Sequence, residues 1–167
     1  ADRRELIVLE VTFALPAEWQ PNLRYAELAQ AVAERNLAEP TPQHVADTVM
    51  AIRRRKLPDP AVIGNAGSFF KNPEVELAVF DNLKAQYPQL VGYRLDNGRV
   101  KLAAGWLIEH CGPRQGISWK GYRVGDAGCH AKQALVLVNY GQATGSEILA
   151  LSEAIIQSVW QNFVLDR

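Results

Sequence analysis

The sequence is poor in several features that mark particular protein classes. Its 18 basic residues balance 18 acidic residues, so no net charge favours nucleic acid or an anionic membrane as a partner. No apolar run approaches the ~20 residues of a membrane-spanning helix, and no signal peptide opens the chain. The phosphate-binding loops and the nucleophile elbow of several enzyme families are missing. We therefore expect a cytoplasmic protein without nucleic-acid or membrane partners.

Cysteine is also scarce, with only Cys111 and Cys129 in the chain. Each is adjacent to a histidine, His110 or His130, an arrangement that superficially suggests zinc. Side chains of adjacent residues diverge, by about 100° on a helix and to opposite faces on a strand, so both members of a pair would rarely reach one ion. We predict no metal site. The thiols are expected to be inert, or weakly reactive at the surface, and a disulfide would be unexpected in the cytosol.

What the chain does contain is ordinary for a globular protein. Apolar residues make up 48% and charged residues 22% of its 167 positions, enough to bury a core without disulfides or metals. These proportions predict a single domain. The element patterns described next predict the α+β class, with a small sheet covered by several helices.

The first third of the chain predicts one strand and two helices. Residues 6–15 form a β-branched and apolar stretch that is typical of a mostly buried strand. Apolar residues recur at helical spacing over residues 22–36. Thr41 and Pro42 then supply a hydroxyl cap and a first-turn proline for a second helix, which must end before Pro58. Its buried stripe is predicted to be Val45, Val49 and Ile52.

The exit of this second helix is strongly basic, because Arg53, Arg54, Arg55 and Lys56 follow one another. Cations at this end complement the negative end of the helix dipole, which is the interpretation that we favour. A basic surface for RNA is the alternative. The neutral total charge and the lack of interleaved aromatic residues argue against it.

The rest of the chain predicts a series of short elements. Spacing and turn residues indicate a helix over 73–87, an exposed loop over 93–98, a strand over 100–102, a helix over 103–111 and a strand over 134–138. Thr144 and Glu147 have the Ser/Thr-x-x-Glu spacing of a capping box and predict the start of a last helix. The apolar stripe of that helix is predicted to be Ile148, Leu151, Ile155, Val159 and Phe163.

One stretch gathers the residue types that a polar active-site loop needs. Residues 64–73 read Gly-Asn-Ala-Gly-Ser-Phe-Phe-Lys-Asn-Pro. The glycines permit backbone conformations closed to other residues, while Ser68 and two asparagines supply hydrogen-bonding groups. From residue types alone, a glycine loop whose two phenylalanines plug into a core is slightly favoured over an active site. Residue chemistry leaves both interpretations open.

Four blocks of sequence carry a resemblance to a known family. They begin at Lys56, Gly64, Lys101 and His130 and read, in that order, Lys-Leu-Pro-Asp-Pro, Gly-Asn-Ala-Gly-Ser-Phe-Phe-Lys-Asn-Pro, Lys-Leu-Ala-Ala-Gly-Trp-Leu-Ile and His-Ala-Lys-Gln-Ala-Leu-Val-Leu-Val-Asn. In this order and spacing they resemble UDP-N-acetylenolpyruvoylglucosamine reductase, a flavoenzyme of peptidoglycan precursor synthesis. The resemblance covers nearly the whole chain, but only the later part of the family's sequence.

The resemblance implies an oxidoreductase that converts UDP-N-acetylglucosamine enolpyruvate to UDP-N-acetylmuramate. NADPH would reduce FAD, and the reduced flavin would deliver a hydride to the terminal carbon of the substrate double bond. The adjacent carbon must then be protonated, and Ser68 matches the family's proton donor. A hydroxyl can serve here because its fixed position near the reacting carbon matters more than its acidity.

The resemblance also assigns binding roles. Lys56 matches a lysine near the UDP diphosphate, a task that suits a flexible point charge. Asn72 and Gln133 match polar contacts to the substrate. Tyr93 matches the tyrosine of a mobile loop that closes over the nucleotide in one subtype of the family. No residue of this chain is assigned to FAD, and a monomer is expected.

Relative to the family, the chain is expected to be a fragment that is inactive alone. The FAD-binding region with its glycine-rich loop is absent. Residues 1–15 resemble the closing strand of that region, and residues 16–167 match the substrate-binding domain with its connecting helices. The family's last catalytic glutamate would follow just after the present end, and Asp166 is out of register to replace it. The stretch over residues 112–120 is longer than its family counterpart.

A second functional class stays open from the sequence. A non-catalytic module that binds a UDP-sugar, or regulates, on the same fold would also lack a flavin region. The encoding gene distinguishes the two classes, because flavin-domain sequence upstream of Ala1 would exclude the module.

Overall fold

The computed structural model of this chain describes residues 7–36 and 39–163. These residues form five helices and two small antiparallel sheets, which confirms the predicted α+β class although one sheet was expected. They divide between Ile52 and Arg53 into two compact units, where composition predicted a single domain. Composition bounds the size of a core, but it does not show where few contacts cross the chain.

The first unit contains α1 (Ala26–Ala33) and most of α2 (Pro42–Lys56). Its apolar cluster is formed by Leu28, Val32 and Ile52, with Leu23, Ala31 and Val45 packed beside it. The prediction for α2 is wrong at Val49, which is 36% exposed. Thr48 is buried instead, and its hydroxyl is satisfied because Oγ1 donates to the His44 carbonyl at 2.7 Å.

The ends of both helices follow local signals. Thr41 caps α2, since its Oγ1 accepts the His44 N–H at 3.3 Å. The four basic residues 53–56 occupy the last turn, as end-charging requires. α1 is shorter than the predicted range of 22–36 and begins only at Ala26.

None of the helices in the described part of the chain has the length and apolar character needed to cross a bilayer.

The N-terminal stretch does not form the predicted buried strand. Residues 7–15 have no regular secondary structure, and Ile7, Leu9 and Phe13 are 85%, 93% and 78% exposed. Residue 6, where the predicted strand begins, and residues 1–5 before it lie outside the described residues. A strand needs a neighbour for its N–H and C=O groups, and no described strand pairs with this stretch.

The second unit is built on two antiparallel sheets. The four-stranded sheet has the order β1 (Gly64–Ser68), β7 (Val136–Asn139), β6 (Ala127–Cys129), β5 (Arg123–Val124). The three-stranded sheet has the order β2 (Glu74–Val75), β4 (Val100–Leu102), β3 (Gly92–Arg94). The strands predicted over 100–102 and 134–138 correspond to β4 and β7.

Two segments predicted as loops contain strands. β1 lies within the stretch over 64–73, and β3 contains the start of the loop predicted over 93–98. β1 has low strand propensity and β3 is only three residues long, but each gains a paired partner, β7 for β1 and β4 for β3. Pairing therefore overrides local preference at β1. Only the turn around Gly98, with φ of 81°, stays a loop as predicted.

Three helices cover these sheets: α3 (Leu77–Gln86), α4 (Ala104–Glu109) and α5 (Gly145–Phe163). α3 begins later than the predicted residue 73, because β2 intervenes and pairs with β4. The centre of the core is formed by residues that are at most 2% exposed, among them Leu102, Leu107, Ile108 and Ile155. The apolar stripe predicted for α5 is confirmed. Its buried members are Leu151, Ile155, Val159 and Phe163, with Ile148 at the edge of the cluster.

The capping box predicted for α5 is formed. Thr144 Oγ1 accepts the Glu147 N–H at 3.3 Å, and Glu147 Oε2 accepts the Thr144 N–H at 2.7 Å. The hydrogen bond from the Thr144 backbone also holds the pKa of the Glu147 carboxyl below its ordinary value. The start of the longest described helix is thus fixed by two local side chains.

We expect Thr144→Ala to lower the free energy of unfolding by about 0.5–2 kcal/mol, because the Glu147 N–H loses its acceptor. Thr144→Ser keeps the hydroxyl and should stay within about 0.5 kcal/mol of the unmodified chain. Urea unfolding followed by circular dichroism measures both variants. Equal stabilities of the two variants would contradict the capping role.

Candidate functional site

Ser68 lies at the end of β1, beside the start of β7. The pairing of these strands is irregular between Asn65 and Ser68, and Ser68 is opposite Val136. Gly67 has a φ of 78°, and no atom lies within 4 Å of a Cβ placed on it, so the backbone conformation alone favours glycine there. Ser68 itself is exposed. The irregularity therefore presents this residue at an open strand end, as bulges beside functional sites do.

Asn65 holds this irregular stretch through its side-chain amide. Its Oδ1 accepts the Gly67 N–H at 3.1 Å, and its Nδ2 donates to the carbonyls of Ile63 at 2.9 Å and Pro58 at 3.4 Å. From the sequence, Asn65 is only one of several polar residues in this stretch, and this role was not predicted. The available signal was an asparagine two residues before a glycine, the spacing of a turn closed by the side chain.

Asn72 fixes the segment after Ser68 against α4. Its Oδ1 accepts the N–H of Ala104, the first residue of α4, at 2.9 Å. That N–H has no acceptor within the helix itself. The carbonyl end of the Asn72 amide is thereby occupied, while its Nδ2 has no partner among the described residues and keeps two donors.

Gln133 lies over the same turn of α4. Its Oε1 accepts the Leu135 N–H at 3.4 Å, and a Cβ placed on Gly105 would lie 3.6 Å from the same oxygen. The Leu135 carbonyl in turn accepts the Phe69 N–H at 2.7 Å, which joins this loop to the residue after Ser68.

Two of the five predicted site residues, Asn72 and Gln133, meet at the first turn of α4. Ser68 lies at the end of β1, which pairs with β7 shortly after Gln133. Asn72 and Gln133 both have their side-chain carbonyl oxygens bound to backbone N–H groups. The groups that remain to meet a ligand are the Ser68 hydroxyl and the side-chain NH₂ groups of Asn72 and Gln133. This set suits oxygen acceptors such as phosphate or carboxylate.

The other two predicted residues come from different segments. Lys56 is the last residue of α2 and is half-buried, and the following loop is tied to the start of β1 by the Asn65 bond to Pro58. Lys56 is thus placed near the start of β1, whereas Ser68 is at its end. Tyr93 lies on the other sheet, in β3 opposite Lys101, and is 56% exposed.

The loop between β7 and α5 has the strand-loop-helix form that binds phosphates in other proteins. Its N–H groups are already occupied, since Gly141 and Ala143 donate to Asn139 Oδ1 at 2.9 and 3.0 Å, and Gln142 donates to Asp126 Oδ2 at 2.8 Å. The Gln142 N–H and the Arg123 guanidinium, which lies 2.6 Å from Asp126 Oδ1, keep the pKa of the Asp126 carboxyl below its usual value. These residues do not fit the diphosphate of a flavin dinucleotide.

Two cavities are lined by other residues of the second unit. One of about 1040 Å³ is lined by residues 109–119 and by α5, where Ser158 Oγ donates to the Gly112 carbonyl at 2.8 Å. A Cβ on Gly112 would lie 1.4 Å from the Ile117 carbonyl oxygen, so only glycine fits at position 112. A second cavity, of about 140 Å³, is mostly apolar and lies beside Lys71 and Ala104. None of the five predicted site residues lines either cavity, so cavity size does not identify the site.

Both cysteines are buried and not at the surface. Cys111 is 6% exposed and Cys129 is 0% exposed. Burial raises the pKa of both thiols, that of Cys129 to about 11, so both are protonated and poorly reactive at neutral pH. Within residues 7–36 and 39–163, no three histidine, cysteine, aspartate or glutamate side chains are grouped so as to hold a metal ion.

Comparisons with known proteins find extensive similarity. Residues 59–166 match the family model described as UDP-N-acetylenolpyruvoylglucosamine reductase, C-terminal domain. Proteins named UDP-N-acetylenolpyruvoylglucosamine reductase from Paraburkholderia phymatum, Paraburkholderia phytofirmans and Ralstonia nicotianae are 55%, 52% and 51% identical over 163 residues. These matches cover 96%, 96% and 98% of this chain but 45% of each relative. The chain thus spans less than half the length of the curated relatives it matches.

Proposed function

Because this chain belongs to the UDP-N-acetylenolpyruvoylglucosamine reductase family, we propose that it is the substrate-binding part of a longer enzyme with that activity. The complete protein would reduce UDP-N-acetylglucosamine enolpyruvate to UDP-N-acetylmuramate for peptidoglycan synthesis, with FAD as cofactor and NADPH as reductant. The observation that supports the proposal is that Asn72 and Gln133 meet at the first turn of α4, while Ser68 lies at the end of the strand that pairs with β7 shortly after Gln133.

Ser68 is assigned as the proton donor. When bound, the flavin supplies a hydride to one carbon of the substrate double bond, and the neighbouring carbon then needs a proton. The pairing of Ser68 with Val136 fixes the backbone that carries the hydroxyl, which supports a role that depends on position more than on acidity. Its exposure leaves the hydroxyl open to substrate and to solvent protons.

The remaining assignments concern binding. Asn72 and Gln133 would donate from their amide nitrogens to oxygens of the substrate, because their own oxygens are occupied. Lys56 would neutralise part of the UDP diphosphate with a flexible point charge. Tyr93 would close over the nucleotide from the β3–β4 hairpin, where it is 56% exposed.

The flavin would be held outside this chain. The loop before α5 offers no free donors for its diphosphate, as described above. We propose that the exposed apolar stretch over residues 7–15 completes a sheet of that missing region, with residues 16–167 forming the substrate-binding domain and its connections. Burial of such side chains against a partner sheet would remove a large apolar surface from water. A monomeric state and a cytoplasmic location stay predictions.

We expect the isolated chain to bind no FAD, because its candidate phosphate loop is occupied by its own side chains. Purification in the presence of excess FAD, followed by gel filtration, should give protein without visible absorbance. A full-length relative treated in the same way serves as the positive control. A stoichiometric yellow complex of this chain that survives gel filtration would contradict the assignment of FAD to another region.

The proposed function itself is tested on the complete gene product. Sequencing upstream of Ala1 should reveal a flavin-binding region, and the complete protein should oxidise NADPH in the presence of UDP-N-acetylglucosamine enolpyruvate. A gene that encodes no such region, with a product that binds the UDP-sugar without turnover, would support the non-catalytic module instead.

A further inference from the structure

We infer that Asn65 is a positioning residue for Ser68, an inference that rests on the proposed function. Asn65 does not need to touch the substrate for this role. It acts through three hydrogen bonds to the backbone, which set the shape of β1 immediately before the serine. None of the roles that the family resemblance assigns to this chain falls on Asn65.

The register of β1 against β7 is irregular just before Ser68. Asn65 is opposite Val138 and Ser68 is opposite Val136, so three steps along β1 match two steps along β7. β1 therefore carries one extra residue between these pairs. Because side chains alternate between the faces of a strand, one extra residue changes the face on which the next side chain lies. Without it, Gly67 would be opposite Val136 and Ser68 would shift in register and face.

The side chain of Asn65 keeps the extra residue in place. The Gly67 N–H, which the irregular pairing removes from the ladder, donates to Asn65 Oδ1 at 3.1 Å. This bond closes a turn around the left-handed conformation of Gly67, whose φ is 78°. The side chain of Asn65 thus replaces the partner strand as the acceptor at this position.

The amide nitrogen of Asn65 binds two backbone carbonyls outside the bulge. Asn65 Nδ2 donates to the Ile63 carbonyl at 2.9 Å and to the Pro58 carbonyl at 3.4 Å. Asn65 is half-buried, and rotating its amide would break all three bonds together. The same group therefore ties the bulge before Ser68 to the loop that follows Lys56, so one side chain links two segments assigned to the substrate.

The experiment compares Asn65→Ala, Ser68→Ala and the double variant in the complete protein by stopped-flow absorbance. Asn65→Ala should slow the substrate-dependent step by about 10–100-fold, the range expected for a displacement of about 1 Å at a reacting group. The NADPH-dependent step should stay nearly unchanged, because no proton reaches the substrate carbon in that step. The double variant should be no slower than Ser68→Ala, because Asn65 acts through the serine.

Two further variants complete the design. Asn22→Ala is the matched control, because Asn22 Oδ1 also accepts the N–H two residues later, from Arg24 at 3.3 Å, in an exposed segment of the first unit. It should leave both steps unchanged. If Asn65→Ala does not fold, Gly67→Ala strains the same turn from its other end, with no atom within 4 Å of the added Cβ, and should show the same pattern.

The outcomes separate this inference from the proposed function. Should Ser68→Ala leave the substrate-dependent step unchanged, the assignment of the serine fails and the inference fails with it. Should Ser68→Ala slow that step while Asn65→Ala does not, or while the two effects multiply in the double variant, only the inference is overturned. An equal slowing of both steps by Asn65→Ala would also overturn it, because that result indicates a general loss of structure.

Discussion

Replacing Ser68 with alanine in the complete protein should slow the substrate-dependent step by about 10²–10⁴-fold, the usual range for losing a positioned general acid. The NADPH-dependent step should stay nearly intact, because no proton reaches the substrate carbon in that step. Stopped-flow absorbance of the flavin resolves the two steps. A cysteine at the same position should restore part of the rate, since a thiol is acidic and of similar reach.

The control for this variant is Ser146→Ala, at an exposed position in the first turn of α5. It removes the same hydroxyl at a position to which no substrate role is assigned and should leave both steps unchanged. If Ser68→Ala slowed both steps alike, or neither, Ser68 would be a structural residue of the strand end and the proton donor would have to be sought elsewhere.

The second large effect is expected at Lys56. In the complete protein, Lys56→Ala should weaken binding of the UDP-sugar by about 1.5–3 kcal/mol, if the lysine makes a charge-assisted hydrogen bond to the diphosphate. That corresponds to a dissociation constant about 10–150-fold higher. Isothermal titration calorimetry measures the affinity directly, and the NADPH-dependent step should change less.

The matched control for Lys56 is Arg54→Ala, which removes one positive charge from the same last turn of α2. A cation at a helix end contributes about 0.3–1 kcal/mol to stability, so the two variants should be similar in stability and differ in substrate affinity. Unaltered affinity of Lys56→Ala, or equal losses in both variants, would assign Lys56 to the charged helix end alone.

Much of the second unit could be predicted because its signals are local. The capping box of Thr144 and Glu147 lies within four residues, and the apolar stripe of α5 repeats at helical spacing. β4 could also be predicted from the local sequence pattern over residues 100–102. The predicted burial of a strand over residues 6–15 is wrong for residues 7–15. Local periodicity reports apolar character, whereas burial depends on a partner that the sequence window does not contain.

The site was harder to predict than the helices. The resemblance pointed to Ser68 on β1 and to Asn72 and Gln133, which meet at the first turn of α4 although they lie far apart in sequence. Residue types alone indicated a loop over 64–73, because glycine, asparagine and serine have low strand propensity. Pairing with β7 gives β1 instead, and only that pairing reveals the extra residue that Asn65 holds.

We propose above all that this chain holds a UDP-sugar beside Ser68, Asn72 and Gln133. The most direct test is a ¹H–¹⁵N correlation spectrum of the isolated chain titrated with UDP-N-acetylglucosamine enolpyruvate at millimolar concentration. We expect the largest shift changes at the backbone amides of these three residues, and we expect Lys56→Ala to reduce these changes at equal ligand concentration. Shift changes confined to residues 109–119 and 154–162, which line the cavity of about 1040 Å³, would contradict the claim.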